Sequence, residues 1–346
     1  MNLLQFFDAR SSRGQPMVLA TVYETVGSTY SKAGGQMLID SAGNFCGMLS
    51  GGCLEGDLVE RARRVIESGV AETASYDLGA DDELWGLGVG CDGTMRVLLQ
   101  LITRENTYQP FAAIADIIGK GSTANMALVI STETSTISVG ASLLSQDDGR
   151  SCFGIGEAPA DAIEDKLSES ATASISEVET TGGRCTVLFT RIAPPPAMLV
   201  LGAGPDAEPV VRIADELGWR CTVCDHRPTY IESRRLPRSS RVICCPVEQL
   251  AGQVVLDEFD LAIVMSHHLA SDRSYLRQIA VSTIGYVGLL GPIRRRERLV
   301  TELGDEGRAL RDRLHGPAGI DLGGRGPGPI ALSIIAEMQQ YLNQRD

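Results

Sequence analysis

Residues 198–207 read Met198-Leu-Val-Leu-Gly-Ala-Gly-Pro-Asp-Ala207, and this stretch decides the fold of the second half of the chain. An apolar run of strand length enters Gly202-Ala-Gly204, and a helical pattern follows over Asp206–Leu217. The spacing is G-x-G-x-x-A. In such a unit the first glycine permits the turn, the second lets backbone approach a pyrophosphate, and Ala207 allows the helix to pack closely on the strand. The free N–H groups of the helix start are an anion site. The next strand, Arg220–Cys224, runs into Asp225, where a carboxylate would meet a ribose hydroxyl. Pro205 and Pro209 interrupt the helix start, and Asp206 and Glu208 bring negative charge to the place a phosphate would take.

Further strands follow at Arg241–Cys244, Leu261–Met265 and Ile284–Leu289, with helical segments between them. That alternation predicts a Rossmann-like, doubly wound parallel sheet. Upstream, Arg191-Ile-Ala-Pro-Pro-Pro-Ala197 is a stiff extended connector, because each proline fixes φ and removes a donor. The expected class is therefore α/β, with a mixed α+β domain over 1–193 and the Rossmann-like domain over 197–346. Within the first, Met17–Tyr23, Gly35–Asp40, Phe45–Leu49, Met95–Ile102 and Cys185–Ile192 read as strands, and Gln146–Gly149 as a hairpin turn. Helices are expected over Leu54–Glu67 and Phe111–Gly119. No internal repeat is visible.

Of 346 residues, 43% are hydrophobic and 22% charged, enough apolar surface for real cores. No apolar run approaches the roughly 18 residues of a membrane span, and Asp8 and Arg10 interrupt the N-terminus before a signal core forms, so a cytoplasmic protein is expected. Net charge is −13, carried almost wholly by residues 1–196, which hold 13 basic and 25 acidic side chains. Such a chain should bind neither nucleic acid nor anionic membrane.

The nine cysteines are odd in number and irregularly spaced, which suits reduced thiols. Cys221 and Cys224 share a strand and point to opposite faces, so they read as core, as does the Cys244-Cys245 pair. Two glycine loops do not look like core. Leu49-Ser-Gly-Gly-Cys-Leu-Glu55 leads from a strand into a helix. Gly51 and Gly52 would offer backbone donors to an anion there, and Cys53, read in the first helical turn, would feel the helix dipole, opposed by Glu55 and Asp57. Trp85-Gly-Leu-Gly-Val-Gly-Cys-Asp-Gly93 suits a loop wrapped around a ligand, with Gly90 and Gly93 flanking Cys91.

In the second half, His267 and His268 follow a strand end, the usual ligand edge of a parallel sheet, and read equally as acid/base groups or polar loop residues. Arg294-Arg-Arg296 with Arg298 reads as a solvated basic face, from which one side chain, Arg295 by our choice, would reach a phosphate.

Taken together, Gly27-Ser-Thr, Ser50-Gly-Gly-Cys-Leu-Glu55 and the Trp85–Gly93 loop resemble the N-terminal motifs of the xanthine dehydrogenase accessory proteins, the XdhC/CoxI family. Pro194-Pro-Pro, Gly202-Ala-Gly204, Asp225-His-Arg-Pro228, Met265-Ser-His-His268 with Asp272, Gly288–Arg298 and Leu314–Gly324 continue the resemblance in order. It implies a molybdenum cofactor (molybdopterin) chaperone. Such a protein holds the cofactor while a cysteine desulfurase replaces an oxo ligand by sulfur, and helps insert it into a molybdenum hydroxylase apoenzyme of the xanthine dehydrogenase type. The family's two loop cysteines fall on Cys53 and Cys91, as sulfur-handling residues and molybdenum contacts, and analogy implies a homodimer. This chain departs in having Pro205 where the family usually has His, and Pro327-Gly-Pro329 where it has Pro-Glu-Glu. The rival expectation is an NAD(P)-dependent oxidoreductase acting on a small substrate, with NAD(P) or another nucleotide on Gly202, Gly204 and Asp225, and His267 or His268 as acid/base.

Overall fold

Six consecutive residues, Met17 to Val22, are buried, and a strand of that kind needs cover on both faces. In the computed structural model, which describes residues 2–78, 93–168, 173–232 and 235–344, both faces are covered. Helix α1 (Leu3–Ser11), capped by Asn2, precedes strand β1 (Met17–Gly27). Then come β2 (Gln36–Asp40), β3 (Phe45–Cys46), α2 (Glu55–Ser68), β4 (Glu72–Asp77) and β5 (Gly93–Ile102). The strands form an antiparallel sheet in the order β3-β2-β1-β5-β4. Leu58, Ala62 and Val65, at helical spacing on α2, pack onto Val18, Ala20, Val97 and Leu99.

After α3 (Phe111–Gly119) the same pattern returns as β6 (Ala124–Thr132), β7 (Ser142–Gln146), β8 (Gly149–Phe153), α4 (Glu157–Ser168), β9 (Ser174–Thr180) and β10 (Gly183–Ile192), in the sheet order β8-β7-β6-β10-β9. The correspondence reaches single residues. Tyr23 is an extra residue in β1 against β5, and Ile130 is the extra residue at the same place in β6 against β10. Val22 donates to Gly35 O and accepts from Gly34 N–H; Val129 does the same with Ala141 and Gly140. The contacts are also reciprocal: Gly34 lies against Thr190 of β10, and Gly140 against Gln100 of β5. The remaining faces of the two sheets meet where Leu98 packs with Met126, Leu128, Leu144 and Leu188.

This duplication corrects the expectation of no internal repeat. The copies retain burial pattern, bulge position and register, none of which requires residue identity. Helix α4 was not anticipated either, and β3 stops at Cys46 rather than Leu49 because the chain turns at Gly47 (φ +94°) under the Gln36 carbonyl.

The chain divides into two compact units, Met1–Pro194 and Pro195–Asp346. The second is the Rossmann-like parallel sheet that the glycine turn predicts. It holds β11 (Ala197–Leu201), α5 (Ala207–Glu216), β12 (Arg220–Asp225), α6 (Pro228–Glu232), β13 (Arg241–Cys244), β14 (Leu261–Val264), α7 (Leu269–Ile279), β15 (Tyr286–Leu289), α8 (Ile293–Leu303), α9 (Asp305–Leu310), β16 (Leu314–His315) and α10 (Pro327–Asn343). The strand order is β13-β12-β11-β14-β15-β16, all parallel. Cys221 belongs to the core on one face and Cys224 to the core on the other. No helix among the described residues is long and apolar enough to cross a membrane.

Candidate functional site

Three of the sequence motifs meet at one end of the first sheet. Gly93 opens β5 opposite Gly27, so close that a Cβ there would stand 2.8 Å from Val26 O and collide with Ser28 O. Ser31 Oγ donates to Met48 O at 3.1 Å, and the Tyr30 ring lies 3.4 Å from where a Cβ of Gly51 would be. Cys53 is half-buried at this end, with the exposed side chains of Tyr30, Phe45 and Met48 in the flanking segments. Cys91 and Gly90, with the rest of residues 85–92, lie outside the described residues.

The Gly51-Gly52 loop is not an empty anion cradle. Glu55, 3% exposed at the first position of α2, turns back into it. Its Oε1 accepts from Leu49 N–H (3.0 Å) and Ser50 N–H (2.9 Å), and its Oε2 from Ser50 Oγ (2.5 Å) and Gly52 N–H (2.9 Å). Ser50 Oγ in turn accepts from Leu54 N–H at 2.8 Å. Burial pushes the Glu55 carboxyl up, but these hydrogen bonds outweigh it and hold the group below the usual carboxylate range. Two expectations change. Gly52 gives its N–H to Glu55 and has none left for a ligand's phosphate, and Cys53 lies one residue before the N-cap, Leu54, outside the first helical turn. Glu55, expected only as a like charge beside the thiol, is the residue that shapes the loop. A glutamate at N1 directly after Gly-Gly-Cys-Leu was the available signal. Asp57 is engaged elsewhere, by Arg61 and by Tyr76 Oη at 2.6 Å.

The duplicated half isolates this feature. Eight residues, 47–54, join β3 to α2, whereas three, 154–156, join β8 to α4. The glycine–cysteine loop is therefore an insertion in the first copy alone, and its outer side is open: no atom lies within 4 Å of a Cβ built on Gly52.

In the second unit, Gly202 (φ +120°) lets the turn pass the end of β14, where a Cβ would stand 2.6 Å from Met265 O. Asp225 is 1% exposed and faces inward. It accepts from Ala203 N–H at 2.7 Å and is clasped by the Arg227 guanidinium at 2.9 and 2.7 Å. Burial pushes its carboxyl up, and Arg227 with the backbone donors outweighs this and holds it low. The carboxylate expected at a ribose thus braces the glycine turn. His268 caps α7, its ring within 3.0 Å of Ser271 Oγ, which is a structural assignment. His267 is exposed, with Nε2 2.7 Å from Asp206 Oδ2. Arg295 is paired with buried Asp272 (2.5 Å), which also accepts from Ser266 Oγ, so its guanidinium is committed to the protein on that side. Among the described residues, Arg294 is the exposed arginine of this run without a partner. Also among the described residues, no three His, Cys, Asp or Glu side chains are grouped to hold a metal ion.

Known proteins resemble the chain along its whole length. A model of the "XdhC and CoxI family" matches residues 11–77, and one of the "XdhC Rossmann domain" matches residues 198–338. The chain belongs to the XdhC/CoxI family. A protein of Bacillus subtilis (strain 168), named as one of the probable subunits of xanthine dehydrogenase, is 29% identical over 340 residues, covering 98% of this chain and 97% of its own. A crystal structure from Bacillus halodurans, described as that of a xanthine dehydrogenase, superposes with a TM-score of 0.81 at 27% identity, over 100% of this chain and 97% of that one. An uncharacterized Escherichia coli (strain K12) protein, YqeB, is 25% identical over 164 residues, 47% of this chain and 30% of its own. The family segments contain Gly51, Gly52, Cys53 and Glu55 in the first unit. In the second they contain Gly202, Gly204, Asp225, His267, His268 and Arg295.

Proposed function

We propose that this XdhC/CoxI protein is an accessory carrier of molybdenum cofactor that supports sulfuration of the cofactor and its insertion into a molybdenum hydroxylase of the xanthine dehydrogenase type. The observation that carries the reading is Cys53, a half-buried thiol on an inserted loop with open space beside it, in the family's own segment. A thiolate is a soft ligand suited to molybdenum and to sulfur. The donor set fits the metal end of the cofactor. It does not fit the phosphate end at Gly52, because Glu55 fills that cradle. Cys53 would hold the metal end, and Glu55 would fix the loop that presents it.

The partners in this reading are a cysteine desulfurase and the apo-hydroxylase, and the carrier is a homodimer, whose mass light scattering would read. Reconstitution tests the function: apo-hydroxylase, cofactor and desulfurase are incubated with and without the chain. Faster appearance of hydroxylase activity with the chain supports the reading, and equal rates refute it.

A further inference from the structure

We infer that the glycine turn of the second unit is closed to nucleotide phosphates by the chain's own Asp206, which sets this specificity. A pyrophosphate-binding turn works by leaving backbone N–H groups free for the anion. Here Gly202 gives its N–H to Cys224 O (2.9 Å), Ala203 to Asp225 Oδ2 (2.7 Å) and Ala207 to Gly204 O (3.0 Å). Pro205 has none to give. Gly204 and Asp206 remain, and the Asp206 side chain already lies against them.

Its Oδ1 stands 2.6 Å from where a Cβ of Gly204 would be, and this oxygen is buried without a hydrogen-bond partner among the described residues. Its Oδ2 meets His267 Nε2 at 2.7 Å. His267 adopts φ +62° in doing so, a left-handed conformation that costs a non-glycine residue about 1 kcal/mol or more. A phosphate oxygen entering this turn meets a carboxylate, which shares its sign and likewise only accepts hydrogen bonds. The fingerprint spacing is present and its chemistry is not. This conclusion is independent of the carrier reading and removes the main support of the oxidoreductase alternative.

Titration calorimetry with NAD+, NADP+ and inorganic pyrophosphate tests it on the full chain. The wild type should show no binding up to about 1 mM, and Asp206→Ala should gain pyrophosphate affinity by roughly tenfold or more. Asp206→Asn keeps the side chain's shape and should gain in the same direction, which guards against misfolding of the alanine variant. Submillimolar NAD+ binding by the wild type would overturn the inference. So would two folded variants, judged by unchanged unfolding midpoints, that bind pyrophosphate no better than wild type.

Discussion

The Glu55 carboxylate accepts a hydrogen bond from Gly52 N–H at 2.9 Å, so the backbone cradle of the first unit is filled by a side chain three residues further on. The glycine turn of the second unit is filled in the same sense by Asp206. Both glycine motifs are thus shaped by internal carboxylates, and the group left facing outward in the first unit is the Cys53 thiol.

Replacing Glu55 tests the loop's architecture. Glu55→Gln puts an NH2 among four donors and removes a charge-assisted acceptor, and should cost about 2 kcal/mol in urea unfolding. The carboxyl is held low when folded, so its stabilisation is present above the unfolded value of roughly 4.3 and is lost as pH falls through the folded one. The variant should therefore show a shallower loss of stability than wild type on acidification below about pH 4.

Thiol labelling separates the cysteines by exposure. Cys244 is exposed and Cys53 half-buried, whereas burial pushes the Cys221 and Cys224 thiols up to about 12. Iodoacetamide should modify Cys244 and Cys53 well before Cys221 and Cys224, as read by peptide mass spectrometry. Molybdenum cofactor should protect Cys53 and leave Cys244 unprotected.

The duplicated half makes a paired prediction. Gly34 and Gly140 have φ of +91° and +90°, so alanine at either should cost about 1–2 kcal/mol. Gly34→Ala should cost more, because its Cβ meets Thr190 Oγ1 at 2.8 Å, against 3.6 Å to Gln100 Cβ for Gly140→Ala. Urea denaturation of both variants checks the order.

Asp225→Ala should lower the stability of the second unit by about 3 kcal/mol, since it leaves Ala203 N–H and the Arg227 charge without their partner. The loss should be unaltered by added NAD+, as followed by thermal unfolding.

The second unit was legible because a parallel sheet repeats one local grammar, strand, turn, helix, which Met198–Ala207 states completely. The opposite-facing Cys221 and Cys224 followed from strand periodicity alone. The duplication of the first unit escaped because Tyr23 and Ile130, or Gln100 and Thr190, share a position without sharing chemistry. The loop around Cys53 was located correctly as a loop at a helix start. Its state was misread because spacing reveals which N–H groups a turn could free, and says nothing of which neighbouring side chain will take them. Glu55, Asp206 and Asp225 each did so through hydrogen bonds that only the folded geometry specifies.

The central claim is that Cys53 holds molybdenum cofactor, and the most direct measurement is cofactor retention. Wild type and Cys53→Ser are incubated anaerobically with purified cofactor, passed through a desalting column, and assayed for molybdenum and for pterin fluorescence per chain. The account predicts molybdenum and pterin together on the wild type, and retention reduced by roughly tenfold or more on a Cys53→Ser protein that unfolds at the same urea concentration. Equal retention by both proteins, or none by the wild type, would contradict it.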